Sequence, residues 1–426
     1  MEIENLLSDL IKIQSVNPPG GETEVAKYLK NLFDAEGIPN EIIESAPGRG
    51  SFLAYLGEGD KRLLYLSHID VVPVSEGWDF PPFSGEIKNG YVHGRGALDC
   101  KGLVAAEAYS MINLARSGRL NGRLIFAATA DEEAGGRMGV GYLVENYKDK
   151  LKADFVINEA TADAPLKIGD KVCHFITVGE KTACSLKLTA RGRSAHGARP
   201  TLGDNAVVKM AAVIKGLAEY QPEVTLIPEV KQLLEEIVRL QGWSDKVTKS
   251  NVDYLISKLD DRVFAASISA TTRMTVSPNI IRGGTKGNVV PDSCEAQIDI
   301  RVLPGQDKDY VLQQLGPIIG DVEVEIPGRP APTFSTSDSD YYRLTRDTLL
   351  DFLGEVPVVP SILSGATDSR YLRQLGIPCY GLSTIRLDPD PVMKESIHGE
   401  NEKMDIASLR MESDFLTALA RKYLGD

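Results

Sequence analysis

Residues 124–136 read LIFAATADEEAGG, an apolar run ending in three consecutive acids, Asp131, Glu132 and Glu133, and then two glycines. Adjacent carboxylates repel one another and lose hydration near a core, so this turn calls for positive charge close by. Residues of matching chemistry stand elsewhere in the chain. LSHIDVVP sets His68 and Asp70 two apart, on one side of an extended stretch. A metal-ligating histidine commonly passes its second ring nitrogen to an orienting group, which Asp70 could supply through its carboxylate or through other atoms. GRGALDCKG places Asp99 between a glycine-rich turn and a helix start, where an N-cap is the plain alternative. VINEAT supplies Glu159, and SIHGENEKM supplies His398 in a polar loop. Taken singly, each also reads as a solvated acid or a surface histidine.

The elements that must carry these residues alternate between apolar strands and helices. Strands are expected at 51–57, 62–68, 124–130 and 154–160, and a helix over 100–118 with a glycine stop. Fully apolar strands between helices predict an α/β sheet covered on both faces. Ligands of such sheets sit beyond the C-terminal strand ends, where His68, Asp70, Glu132, Glu133 and Glu159 all fall. After about residue 180 the pattern changes to strand-helix-strand-strand-helix-strand, the split βαβ plan of a ferredoxin-like unit. Residues 221–261 read as a helical insertion between its first helix and second strand, and the α/β pattern resumes near residue 332. The expected organisation is one domain from 1–179 and 332–426, interrupted by a second over 180–331.

The 426 residues are enough for two cores, and 42% hydrophobic with 25% charged residues is ordinary for a globular protein. A net charge of -13 argues against a general nucleic-acid or anionic-membrane surface. The amphipathic, acid-bearing start MEIENLLSDLIKIQS lacks the features of a signal peptide, and there is no long apolar run for a membrane span. Five cysteines in no paired spacing read as reduced thiols, so a cytoplasmic location is expected.

The motifs SHIDVVP, GRGALDCKG, TADEEAGG, RGRSAHGARP, NVVPD, DIRVLPG, GATDSRYL and IHGENE together resemble the M20 metallopeptidase family, in family order from about residue 65 to 402. That group includes carboxypeptidase G2-like enzymes, aminoacylases, acetylornithine deacetylases and succinyl-diaminopimelate desuccinylases. The resemblance implies a zinc-peptidase-like catalytic domain, a mixed sheet with helices on both faces, carrying an inserted α+β ferredoxin-like lid that also dimerises. It implies two divalent ions, zinc by default with cobalt or manganese as alternatives. Asp99 would bridge them, with His68 and Glu159 on one ion and Glu133 and His398 on the other. Glu132 would be the general base that takes the proton of a bridging water, and Asp70 would hold His68. In the lid, His196 would donate to the developing oxyanion, often from the partner subunit of a homodimer. Asn288 and Arg301 would grip the substrate, Arg301 suiting a carboxylate through its forked guanidinium. Gly365 and Thr367 would contact it from the 363–370 loop. A cis peptide bond between Asp99 and Cys100 is implied as well.

His93 and His174 are not assigned to the site, and thiol catalysis by Cys100 lacks an adjacent histidine in sequence. The expected activity is metal-dependent hydrolysis of an amide bond in an N-acyl amino acid or short peptide with a free carboxylate. The long lid insertion tilts this towards a carboxypeptidase or aminoacylase type. The alternatives are a biosynthetic deacylase acting on acetylornithine or succinyl-diaminopimelate, and a non-catalytic binding protein on the same fold.

Overall fold

The computed structural model describes residues 1–118, 120–160, 165–327, 333–382 and 395–425. Its larger sheet has nine strands, and the middle of that sheet builds the site. Four neighbouring strands run parallel: Arg123–Thr129, Arg62–His68, Phe155–Glu159 and Cys379–Leu382. Gly50–Leu56 and Asn40–Glu44 extend the sheet antiparallel on one side. On the other, Lys171–Glu180 lies antiparallel to Cys379–Leu382 and parallel to Val358–Leu363, and Leu166–Ile168 turns back onto it.

Alternate residues of the central strands fill two cores, as burial on both faces requires. Leu63, Tyr65 and Phe126 face helices Glu22–Ala35, Lys101–Ser117 and Ile406–Leu424. Leu64, Leu66, Ile125 and Ala127 face Val140, Leu143 and Leu372. No described helix is long and apolar enough to cross a membrane.

The second sheet orders its strands Thr275–Gly283, Ser293–Val302, Leu186–Arg191 and Glu323–Glu325, all antiparallel. Helices Ala206–Glu219 and Lys308–Ile319 pack on one face, with Met210, Val213, Leu217, Val311 and Leu315 meeting Leu188, Ala296 and Ile298. Numbered along the chain, the strand order is 2-3-1-4 with helices after the first and third strands. This is the ferredoxin-like arrangement.

Two details differ from the expected boundaries. Glu180 still belongs to the large sheet, and the small sheet is entered at Thr182–Ala183. The helical insertion, expected within the lid, runs as Pro228–Leu240, Val252–Ser257 and Arg262–Thr271, and its apolar residues join the large core instead. The reason is its own pattern: Val230, Leu233, Leu234 and Ile237 form one apolar stripe, which covers the end of the large sheet beside Val358–Leu363. The expected return at residue 332 lies outside the described residues.

Candidate metal centre

Three strand ends and two loops meet at one edge of the large sheet. His68 ends its strand, Glu159 ends the next, and Asp131 to Glu133 follow the strand Arg123–Thr129. Asp99 precedes helix Lys101–Ser117, and His398 lies in the loop before Lys403–Asp405. The Asp99–Cys100 peptide bond is cis.

Asp99 stands between the two imidazoles. Its Oδ1 lies 3.0 Å from His68 Nε2 and its Oδ2 lies 3.1 Å from His398 Nε2. Glu133 Oε2 lies 3.2 Å from the same His398 nitrogen. Asp99, Glu133 and His398 offer three ligand atoms within 4.8 Å of one another, and so do His68, Glu132 and Glu159. One carboxylate facing two nitrogen-and-oxygen sets is the donor chemistry of a paired divalent-cation site. Glu133 Oε1 is buried without a hydrogen-bond partner, an unpaired acceptor that a cation would satisfy. The residues therefore fit two ions. The charges agree: His398 is pushed up to about 10 by hydrogen bonds to Asp99 and Glu133, so the acids already draw positive charge. Glu132 is held well above the usual carboxylate range, first by burial and then by Glu159 and its acidic neighbours, with His68 opposing. A divalent ion among these acids would reverse that pressure.

Asp70 serves the site differently from the simplest expectation. The nearest acceptor to His68 Nδ1 is the main-chain oxygen of Asp70 at 3.0 Å, while the Asp70 carboxylate is 3.6 Å away. A carbonyl only accepts, so Nδ1 carries a proton, and Nε2, which faces Asp99 Oδ1, is the nitrogen that would ligate once its own proton is lost. The Asp70 carboxylate instead receives the N–H groups of Glu132 and Glu133, both at 3.1 Å, and so fixes the acidic turn.

The positive charge required by Asp131 comes from a residue not singled out in the sequence. Arg49 meets Asp131 at 2.5 Å and Glu22 at 2.8 Å, all three buried. Asn17 joins them, donating to Asp70 at 2.8 Å and to Asp131 at 3.3 Å. A second clasp was equally unassigned. Fully buried Glu402 receives the N–H groups of Gly96 (3.0 Å), Leu98 (2.8 Å) and Asp99 (3.1 Å). It also pairs at 2.6 Å with Arg95, which donates to the oxygen of Gly399. The loops of Asp99 and His398 are thus fastened to each other. Arg95 and Glu402 lie inside the quoted motifs GRGALDCKG and IHGENE, which was the available signal; Arg49 offered none.

Beneath the acidic turn lies Asp368, buried, with Thr129 donating to it at 3.2 Å. A Cβ at Gly136 would stand 2.1 Å from Asp368 Oδ1, and Gly136 has φ +66°, so that position requires glycine. Thr367 is buried beside it and Gly365 is exposed.

The lid residues are placed apart from this cluster. His196 lies in a two-residue strand paired with Val289–Val290, and Gly197 donates to the oxygen of Asn288 at 2.7 Å. Both His196 and Asn288 are exposed. Arg301 lies on the strand Ser293–Val302, where its guanidinium meets Asp299 at 3.1 Å. Among the described residues, no hydrogen bond or ion pair joins these three to the metal cluster. His93 ends the short strand Tyr91–His93, and buried His174 is pushed down to about 4 by loss of hydration. Burial pushes the Cys100 thiol well up, which is the opposite of an activated nucleophile.

Residues 64–422 match the model of Peptidase family M20/M25/M40. The chain is 28% identical over 409 residues to the N-fatty-acyl-amino acid synthase/hydrolase PM20D1 of Xenopus tropicalis, across 93% of this chain and 78% of that protein. It is also 28% identical over 373 residues to a probable succinyl-diaminopimelate desuccinylase of Staphylococcus aureus, across 85% of this chain and 86% of that one. Among solved structures, an M20 family metallo-carboxypeptidase of Sulfolobus solfataricus superimposes with a TM-score of 0.73 at 21% identity, covering 99% of both chains. A dinuclear metal binding M20 peptidase of Bacillus subtilis does so with a TM-score of 0.64 at 16% identity, covering 99% and 97%. At those identities the structural likeness speaks for the fold. The family match runs from the strand that carries His68 into the last helix, and the chain belongs to peptidase family M20/M25/M40.

Proposed function

We propose that the protein is a metal-dependent hydrolase that cleaves the amide bond of an N-acyl amino acid or short peptide bearing a free carboxylate. The observation that carries this reading is the Asp99 carboxylate, with one oxygen at His68 and the other at His398. His68, Asp99 and Glu159 would hold one divalent ion, and Asp99, Glu133 and His398 the other, with zinc the default for such donors. When bound, the pair would polarise the scissile carbonyl and make water a better nucleophile at neutral pH.

The chain's own groups supply the rest. Glu132, beside a ligand and not itself assigned as one, takes the proton of the attacking water and returns it to the leaving nitrogen. Asp70 fixes the backbone of Glu132 and Glu133 and, through its carbonyl, the ring of His68. His196 donates to the developing oxyanion after the lid approaches, and Asn288 and Arg301 hold the substrate carboxylate with Gly365 and Thr367. The lid sheet exposes Ile280 and Ile281 on its edge strand, which supports a homodimer joined there and His196 acting across it. A cytoplasmic location fits five free, buried cysteines.

A biosynthetic deacylase is the second reading, favoured by the desuccinylase relative. The N-fatty-acyl-amino acid synthase/hydrolase is equally identical at 28%, aligned over more of this chain (93% against 85%) and over less of its own length (78% against 86%), and it supports the first. Metal analysis together with a panel of N-acyl amino acids, dipeptides, acetylornithine and succinyl-diaminopimelate separates them. We expect two metals per chain, loss of activity with a chelator, and hydrolysis of N-acyl amino acids or dipeptides above the two biosynthetic substrates. A metal-free chain, or none of these amides hydrolysed, would refute the proposal.

A further inference from the structure

Glu180 and Arg373 form a buried ion pair at the point where the chain leaves the large sheet for the lid, and no part of the reaction described above uses it. Glu180 is the last residue of Lys171–Glu180 and is 0% exposed; Arg373 is 8% exposed. Glu180 Oε1 meets Arg373 Nη1 at 3.0 Å and accepts from the hydroxyl of Thr333 at 3.2 Å. Glu180 Oε2 accepts the main-chain N–H of Thr367. Arg373 in turn donates to Ser335 Oγ at 3.2 Å and to the oxygen of Cys379 at 2.9 Å.

One carboxylate therefore gathers three pieces of chain. The first is its own strand end, leaving for the lid. The second is Thr333, where the chain again bonds to the large sheet after the lid. The third is the 364–368 loop, fastened through the amide of Thr367. The main chain repeats the pattern, with Lys181 N–H donating to Leu363 O at 2.9 Å and Gly179 bridged to Phe334. The next side chain reaches a fourth piece. Lys181, also 0% exposed, donates to the oxygens of Ala270 (2.8 Å) and Arg273 (2.9 Å) and to Thr275 Oγ1 (3.1 Å). Those acceptors lie where the helix Arg262–Thr271 gives way to the lid's edge strand.

A buried ion pair adds little stability over a well-packed apolar substitute, because desolvation offsets the attraction. What it does provide is fixed direction, since a carboxylate with both oxygens engaged holds its partners in one geometry. We propose that Glu180 is a positioning residue: it registers the 364–368 loop against the lid crossing, so that the substrate-contacting loop and the lid keep one alignment. This rests on the reading of Gly365 and Thr367 as substrate contacts.

The test is Glu180→Gln in the full-length, metal-loaded protein, read by hydrogen-exchange mass spectrometry and steady-state kinetics. Peptides spanning 364–368 should exchange roughly tenfold faster or more, as local opening no longer breaks a charged contact. KM for the best N-acyl amino acid or dipeptide should rise about tenfold with a smaller change in kcat, because positioning is lost and not the proton transfer. Metal content should stay at the parent value. Arg373→Lys should shift both readouts in the same direction by less. Unchanged exchange at 364–368 with unchanged KM would overturn the proposal, and so would equal acceleration throughout the large sheet. Should Glu180→Gln fail to fold, Thr333→Val removes a single contact to Oε1 and carries the same test with a smaller shift. Exchange does not require turnover, so it decides this inference even if the amide-hydrolase reading fails.

Discussion

The metal cluster and the lid ribbon of His196 and Asn288 are built in opposite ways. The cluster stands on the ends of central parallel strands, its acidic turn and the Asp99 loop are tied to Asp70, Arg49 and Glu402, and His68, Asp99 and Glu159 are buried while His398 closes the cluster from its exposed side. The ribbon is two short strands held by hydrogen bonds to each other and to the turns beside them, and His196 and Asn288 are exposed. The difference teaches a division of labour. Groups that must hold charge against repulsion need a rigid, water-poor setting before substrate arrives. Groups that meet the substrate late can wait exposed and be brought in by movement or by a second chain.

If that division holds, damage to the cluster and to the ribbon should separate cleanly. Glu132→Gln should give the largest loss of turnover, about 10² to 10⁴-fold, with both metals retained by elemental analysis. Near-normal activity, or metal falling to zero, would remove Glu132 from the role of base. Glu402→Ala should damage the cluster from behind. Leaving Arg95 buried without its partner costs roughly 3–5 kcal/mol in such cases, so thermal unfolding should shift far downward and metal content should drop. A variant as stable and as metal-rich as the parent would show that the two loops need no clasp.

The ribbon should fail differently. On the proposed role as oxyanion donor, His196→Ala should lower kcat by about 10² to 10³-fold, while melting temperature and metal content stay at parent values. Mixed with Glu132→Gln chains, it should regain part of the activity if His196 acts across a dimer; no recovery in demonstrably mixed dimers would place its action within one chain. The last effect falls on stability and not on turnover, in the core beneath the cluster. Buried Glu412 is pushed from 4.5 to about 8, so the folded chain holds a proton there that the unfolded chain has released. Stability should therefore fall as pH rises from about 4.5 to 8, and Glu412→Gln should flatten that decline in melting curves. Parallel curves for parent and variant would contradict this.

The same contrast explains what could be read from sequence. Strand ends followed by His68, Glu159 and Asp131 to Glu133 were legible because apolar runs locate strands and the sheet locates their ends. Asp99 and His398 became legible through their motifs. Arg49, Glu22, Glu180 and Arg373 did not, because a buried ion pair joins distant positions and leaves no local period. The helices Pro228–Leu240 and Val252–Ser257 fall within the expected 221–261 insertion, whereas Arg262–Thr271 lies beyond it, and the docking of all three was not legible. An apolar stripe specifies that a face will be covered, and the stripe alone does not say by which core.

The strand Cys379–Leu382 sits between Phe155–Glu159 and Lys171–Glu180, both of which leave the ribosome much earlier. At typical synthesis rates the gap is on the order of ten seconds or more. Throughout that interval Phe155–Glu159 carries an open apolar strand edge, and Lys171–Glu180, which joins the large sheet through Cys379–Leu382, has not yet been paired into it. Such edges are templates for pairing with other chains. The lid strands and both of the lid's helices all emerge within the interval, so the small sheet can close before the large one does. Truncation between the lid and residue 382 should accordingly leave the large sheet unformed and prone to aggregation, even where the small sheet has closed.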